Sequence, residues 1–215
     1  MAQVWAVVVA GGSGQRFGRL KQFALLADRP VVEWAVAACR PSSSGVVLVV
    51  PPGTPDAVRY GADLIVEGGA TRAESVGRGL AAVPAEAEVI VVHDAARPLA
   101  ADALFRAVIE RVAAGDADGA IPGVPVRDTI KVVDGTDTVT ATLDRSVLVA
   151  VQTPQAFGAD VLRRAHAQAD VGEATDDAAL VEALGATVRV VPGDPRNLKI
   201  TTPADLGLAE HLLRG

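Results

Sequence analysis

The chain opens with an apolar run, Val4 to Val9, in which Trp5-Ala6-Val7-Val8-Val9 shows no alternation of polar and apolar positions. Such a run fits a strand buried on both faces of a parallel sheet. Val46 to Val50 and Glu88 to Val92 have the same character, and Asp63 to Val66 and Thr187 to Val191 are weaker examples. Between these runs the apolar residues fall at helical spacing. Pro30 to Cys39 predicts a helix opened by proline. Thr71-Arg72-Ala73-Glu74 predicts a capping box, with Thr71 as cap, Glu74 reaching back, and Ala73, Val76, Leu80 and Val83 as the apolar stripe. Ala103 to Ala114 predicts an amphipathic helix on Leu104, Val108 and Val112. Two helical segments follow later, the second begun by Thr175-Asp176-Asp177, and Thr202-Pro203-Ala204-Asp205 starts a final helix with a cap and an N1 proline. Strands alternating with helices predict an α/β fold on a mostly parallel sheet.

The pattern changes between Ile121 and Val151. Pro122 to Lys131 reads as extended, Val132-Val133-Asp134-Gly135-Thr136 carries an Asp-Gly hairpin signal, and Val139 to Leu143 would be the return strand. A hairpin inserted into such a core cannot bury its own faces and needs a partner surface. Residues 122–145 are therefore read as an arm. The sequence shows no repeat, low-complexity tract or second domain, so 1–215 is read as one domain.

The stretch after the first strand, Ala10 to Lys21, reads Ala-Gly-Gly-Ser-Gly-Gln-Arg-Phe-Gly-Arg-Leu-Lys. Its glycines let the backbone turn sharply and bring N–H groups against a ligand, and Arg16 and Lys21 add two cations. The implied ligand is anionic. The dinucleotide fingerprint does not fit, because Phe17 stands where its third glycine belongs, and no Gly-Lys-Ser/Thr tripeptide occurs for a Walker loop. A plain glycine-rich turn with incidental surface cations is the alternative. Lysine usage weighs against it: with three lysines against seventeen arginines, Lys21 stands out as a compact point charge suited to a phosphate.

Composition narrows the classes. With 215 residues, half of them hydrophobic, the chain has core enough for one α/β domain. A formal net charge of −6 argues against nucleic-acid or anionic-membrane surfaces, so a polyphosphate would be held by a local basic cluster. Cys39 is the single cysteine and reads as a buried helix residue. There is no basic-then-apolar leader and no apolar run of membrane-spanning length, so the expected location is the cytoplasm.

Two further places carry candidate chemistry. The capping box puts Arg72 and Ser75 in a first helical turn, where free N–H groups and the positive dipole end suit a polar or anionic ligand; exposed, solvated side chains are the other reading. Glu88 to Val92 ends in His93-Asp94-Ala95-Ala96-Arg97-Pro98. Ligands in open parallel sheets sit beyond the carboxyl ends of strands, which puts Asp94 beside the glycine loop. One carboxylate together with phosphate oxygens suits Mg²⁺; a turn cap is the alternative role. His93 reads as a packed strand-end residue.

Taken together, the glycine loop with Lys21-Gln22-Phe23, Arg72 and Ser75, His93-Asp94-Ala95-Ala96-Arg97, Pro125-Val126-Arg127-Asp128-Thr129, Asp144-Arg145, Thr153-Pro154-Gln155 and Lys199 resemble the 2-C-methyl-D-erythritol 4-phosphate cytidylyltransferases of the non-mevalonate isoprenoid pathway. The resemblance implies a Rossmann-like fold with helices on both faces of the sheet and a β-arm for dimerisation. It implies CTP bound by Ala10, Gly11, Gly12, Gly14, Gly69, Arg72 and Ser75, with Arg16, Lys21 and Lys199 catalytic. The acceptor phosphate would meet Asp94, Ala95, Arg97, Thr153 and Lys199, with Thr129 and Arg145 from a neighbouring subunit, and Mg²⁺ or Mn²⁺ would lie at Asp94. The family pattern is not followed throughout: Leu20 replaces a usual proline before the lysine, the segment from Arg16 to Lys21 is two residues short, and Ala70 replaces a frequent polar residue. A cytidylyltransferase for another polyol phosphate, such as ribitol 5-phosphate, and an inactive nucleotide-binding homologue stay open as alternatives.

Overall fold

The computed structural model describes residues 2–11, 21–54, 60–168 and 176–214. In chain order its elements are β1 (Val4–Val9), β2 (Leu25–Leu26), β3 (Arg29–Pro30), α1 (Val31–Cys39), β4 (Gly45–Val50), β5 (Leu64–Glu67), α2 (Arg72–Ala82), β6 (Val89–Asp94), α3 (Asp102–Ala113), β7 (Gly119–Pro125), β8 (Lys131–Val133), β9 (Val139–Thr142), β10 (Val149–Val151), β11 (Gln155–Gly158), α4 (Ala159–Gln168), α5 (Asp177–Ala183), β12 (Val188–Pro192) and α6 (Pro203–Arg214).

β1 lies inside the main sheet with β4 and β6 parallel on either side, and β5 continues the parallel run beyond β4. On the other flank β11 runs antiparallel between β6 and β7. β12 pairs in parallel with the far edge of β7, while β10 pairs antiparallel with the end of β7 that β11 leaves open. The sheet is thus mostly parallel, as the apolar runs predict.

Successive side chains of the central strands enter two different cores. Val7, Val47, Val49, Ile90 and Val92 pack under α2, α4 and α5, whereas Ala6, Val8, Val46, Leu48 and Val91 pack under α1 and α3. Burial on both faces explains why the runs do not alternate. Phe105, Phe157, Leu48 and Ile90 are completely buried, and each such side chain contributes about 1.5–3 kcal/mol relative to exposure. α2 comes close to the sheet at Gly79, where an added Cβ would meet Val7 Cγ1 at 2.5 Å and Val49 Cγ2 at 2.9 Å. Cys39 is fully buried in α1, as its setting predicts, and burial pushes its thiol far above the usual range. Among the described residues no helix is long and apolar enough to cross a membrane.

Several boundaries differ from the sequence reading. Pro30 precedes α1 as its cap residue, and it pairs with Leu25 in a short ladder that apolar periodicity does not signal. β6 runs two residues past Val92 and takes in His93 and Asp94. At α2, Thr71 Oγ1 accepts from Glu74 N at 3.1 Å, and Glu74 Oε2 accepts from Ala70 N at 2.7 Å, one residue earlier than an ordinary capping box. The Asp-Gly signal corresponds to a hairpin, β8 with β9, but not to a two-residue turn. The loop spans Asp134 to Thr138, its positive φ falls on Asp137 (59°), and Asp134 Oδ1 accepts from the backbone N–H groups of Thr136 and Thr138. Thr175, expected to begin a helix, lies outside the described residues; Asp176 caps α5 by accepting from Ala179 N at 3.0 Å. α6 starts as expected: Asp205 Oδ2 accepts from Thr201 N and Thr202 N, and Pro203 is its first residue.

The β8–β9 hairpin makes its own two-stranded sheet, and Val132, Val133 and Val139 on it are 40–54% exposed.

Candidate functional site

β1 and β6 end side by side, with Val9 opposite Asp94, and the chain turns away from both strands there. Ala10 is held at each end of its peptide: its N–H donates to Val49 O at 2.8 Å, and its carbonyl accepts from the buried Gln22 Nε2 at 2.7 Å. Opposite, the segment after β5 is fixed by Ser75, which is almost fully buried. Its Oγ accepts from Gly69 N at 3.1 Å and donates to Thr71 O at 2.8 Å. Glycine is required at 69, because a Cβ there would meet Glu74 Cβ at 2.4 Å. Ser75 therefore acts first as the fastener of the loop opposite Ala10.

These segments wall a cavity of about 350 Å³ at the carboxyl ends of the strands. Ala10, Gly11, Lys21, Gly69 and Ser75 line it, and Arg72, Asp94, Ala95 and Lys199 complete its floor and rim. Of the residues singled out in the sequence, Arg97 and Thr153 line an adjoining hollow of about 220 Å³ with Gln152 and Gln155, which shares Arg72, Asp94 and Lys199 with the first. Thr129 and Arg145 line neither; both are exposed, and Arg145 donates to Arg127 O. Gly12, Gly14 and Arg16 lie outside the described residues.

Asp94 is the electrostatic centre. Lys199 Nζ lies 2.7 Å from its Oδ2, and Arg72 Nε and Nη2 each lie 3.4 Å from its Oδ1. Burial alone would raise its carboxyl pKa, but the charges of Arg72 and Lys199 outweigh burial and hold it far below the usual carboxylate range. Arg72 reaches beyond the cavity to Asp177, donating from Nη1 to Oδ2 at 2.8 Å.

The end of β6 is locked from beneath. Asp94 N donates to Thr153 Oγ1 at 2.9 Å, and Thr153 Oγ1 lies 3.1 Å from His93 Nδ1. His93 Nε2 lies 3.1 Å from Arg97 O; a carbonyl only accepts, so Nε2 carries the proton and Nδ1 accepts from the Thr153 hydroxyl. His93 meets Phe105 edge-on at 5.2 Å, is fully buried, and has its pKa pushed down by that burial to about 4. Its reading as a packed residue holds. Arg97 donates Nη1 to Asn197 O at 2.8 Å, which joins the Lys199 segment to β6. Asn197 Nδ2 in turn donates to Thr153 O at 2.9 Å, and Gln152 Nε2 to Asp194 O at 2.8 Å.

Sequence reasoning missed Gln22, Gln152, Asn197 and Asp177. Asp177 reads as one of two helix-start acids. The three amides have no local signal, because their backbone carbonyl partners lie 12 to 45 positions away.

Among the described residues a single carboxylate, Asp94, and three cations, Lys21, Arg72 and Lys199, line one cavity. Among the described residues no cluster of three or more His, Cys, Asp or Glu could cage a metal ion. A hard cation that brings water and phosphate oxygens with it needs few protein ligands, and Asp94 is the carboxylate that the described residues place on this cavity.

Comparison with known proteins points to one family. The family model described as 2-C-methyl-D-erythritol 4-phosphate cytidylyltransferase matches residues 4–215. The chain is 46% identical over 217 residues to the 2-C-methyl-D-erythritol 4-phosphate cytidylyltransferase of Rhodococcus jostii, covering 98% of this chain and 95% of that one. It is 45% identical over 228 residues to the bifunctional enzyme IspD/IspF of Solidesulfovibrio magneticus, where it spans 96% of its own length and 56% of the relative's. Its fold superposes on the crystal structure of the Thermus thermophilus cytidylyltransferase with a TM-score of 0.83 at 38% identity, covering 97% of this chain and 98% of that one. The chain belongs to the 2-C-methyl-D-erythritol 4-phosphate cytidylyltransferase family.

Proposed function

We propose that this chain transfers CMP from CTP to 2-C-methyl-D-erythritol 4-phosphate, giving 4-diphosphocytidyl-2-C-methyl-D-erythritol and pyrophosphate for isoprenoid precursor synthesis. Beside the family match, the observation that supports this most directly is the convergence of Lys21, Lys199 and Asp94 on one cavity whose walls are the backbone of Ala10, Gly11 and Gly69.

The chemistry follows from the substrates' charges. A phosphate monoester has a second pKa near ~6, so at neutral pH the acceptor is mostly a dianion and already a nucleophile. Its oxygen attacks the α-phosphorus of CTP, the new P–O bond forms, and the α–β bridging bond breaks to release pyrophosphate. No general base is required; the site has to bring like-charged phosphates together and stabilise the charge on the leaving group. Ala10, Gly11, Gly12, Gly14, Gly69, Arg72 and Ser75 would seat the nucleotide, with Arg16 and Lys21 on its phosphates. Asp94, Ala95, Arg97, Thr153 and Lys199 would orient the acceptor. Asp94 would hold Mg²⁺, or Mn²⁺ in its place, which supplies neutralisation of the triphosphate.

The same reading makes the enzyme a cytoplasmic homodimer that exchanges arms. The exposed valines of the hairpin, with Val147 at 79% and Val149 at 40% exposure beside it, support a covered rather than a solvated surface. The partner subunit's Thr129 and Arg145 would then complete each acceptor site.

Pyrophosphate release from CTP, measured with methylerythritol phosphate and with ribitol 5-phosphate as acceptors, tests the function. Turnover with the first and little with the second is expected. Preference for ribitol phosphate, or no turnover with either, would overturn the assignment.

A further inference from the structure

Asp177, at the first position of α5, is completely buried, and its two carboxylate oxygens serve different partners. Oδ1 accepts from His166 Nε2 of α4 at 2.9 Å, and Oδ2 accepts from Arg72 Nη1 of α2 at 2.8 Å. Burial opposes its ionisation, but the hydrogen bond from His166 and the charge of Arg72 hold the carboxyl below the ordinary range. Arg72 therefore sits between two carboxylates at unequal distances: 2.8 Å to Asp177, and 3.4 Å from both Nε and Nη2 to Asp94.

That inequality is unusual for a guanidinium. A planar fork beside a carboxylate ordinarily closes on it with two parallel bonds of about 2.7–2.9 Å. Asp94 receives a short contact from Lys199, at 2.7 Å, and only long ones from Arg72. Asp177 engages the far corner of the fork and keeps the guanidinium from closing. His166 engages the other oxygen of Asp177, so Asp177 pulls on Arg72 with one oxygen and not two.

We propose that Asp177, oriented by His166, is a positioning residue that holds Arg72 off Asp94 and so keeps the Asp94 carboxylate open toward the substrates. This rests on the cytidylyltransferase reading of the cavity. An ion pair that only ties α2 to α5 would stabilise the fold and leave the Arg72–Asp94 distance unchanged when broken. A tether predicts opposite movements from its two sides. With the Asp177 charge removed, Arg72 closes on Asp94. With His166 removed, Asp177 offers both oxygens and draws Arg72 further away.

The test combines crystal structures with kinetics. In Asp177→Asn the Arg72–Asp94 contacts should shorten to about 2.8 Å, and in His166→Ala, which serves also should Asp177→Asn fold poorly, they should lengthen. kcat/KM for the acceptor should fall on the order of tenfold in Asp177→Asn, and the same change placed on Arg72→Gln should add less than about twofold, because the tether then has nothing to hold. An Arg72 that stays in place in both structures, or losses that multiply in the double variant, would overturn the proposal. A parent without cytidylyl transfer would refute the functional reading, while the Arg72 positions would still decide this one.

Discussion

Lys199 Nζ lies 2.7 Å from Asp94 Oδ2, so a residue just ahead of the last helix is paired with the last residue of a central strand 105 positions earlier. The pair is asymmetric: the lysine side chain is 43% exposed and the aspartate 11%. The carboxylate is the fixed member, held by its strand, and the lysine is the more accessible one.

Asp94→Asn keeps the shape of that fixed member and removes its charge. The variant is expected to fold, to melt below the parent temperature because Lys199 and Arg72 lose their partner charge, and to need more Mg²⁺ for half-maximal turnover, since a hard cation favours a charged oxygen. A Mg²⁺ titration superimposable on that of the parent would leave Asp94 a structural role alone.

Lys21 lines the same cavity, and its charge also acts on the Asp205 carboxyl at the start of α6. Lys21→Ala should lower kcat by about 10² or more, the scale found for removing one donor that meets charge developed in the transition state. Its circular dichroism should match the parent, because Lys21 is outside the core clusters. Full activity would remove Lys21 from the mechanism.

His93 sets a pH dependence of stability. It is neutral in the folded chain down to about pH 4, whereas an unfolded histidine takes up its proton near about 6.5. Between those values the unfolded state binds more protons, so stability rises with pH across the window and levels off above it, by up to about 3 kcal/mol. The depressed carboxyls of Asp94 and Asp177 act in the same sense at lower pH, below the unfolded carboxylate value. Urea unfolding of the ligand-free protein from pH 4.5 to 7.5 should show the rise, and His93→Gln should flatten it.

Arm exchange makes a mixing prediction. Lys21→Ala and Arg145→Ala should each be nearly inactive alone. If the partner subunit's Arg145 completes each site, a heterodimer of the two variants has one site with both lesions and one with neither. A freely exchanged equal mixture should then recover about a quarter of parental activity. Once subunit exchange is shown by mass, a mixture as inactive as its components places Arg145 in service of its own chain.

The central strands were legible in the sequence because valines buried on both faces leave no alternation, and the cap at Thr71 because capping is local. The place of Asp94 at the end of a buried strand was legible because it follows an apolar run directly. What escaped was whatever depends on distant partners. Ser75 reads as a cavity-facing hydroxyl until its bonds to Gly69 and Thr71 are known, and Arg72 as a first-turn cation until Asp177 meets it. The hairpin turn escaped for another reason: the Asp134 side chain caps the loop itself, moving the left-handed residue from Gly135 to Asp137.

The six residues of β6 are all buried, and the last of them is held laterally by β1 and from below by the Thr153 hydroxyl. Proteins open first where backbone hydrogen bonds face solvent, and interior strands open only with the whole domain. On warming, the cavity should therefore fail unevenly. The loop wall at Gly69 to Thr71 can loosen at modest temperature, reversibly and with loss of turnover, while the carboxylate stays where it is until the sheet itself melts. Cooling before that point should restore full activity, since the part of the site that is hardest to rebuild has not been taken apart.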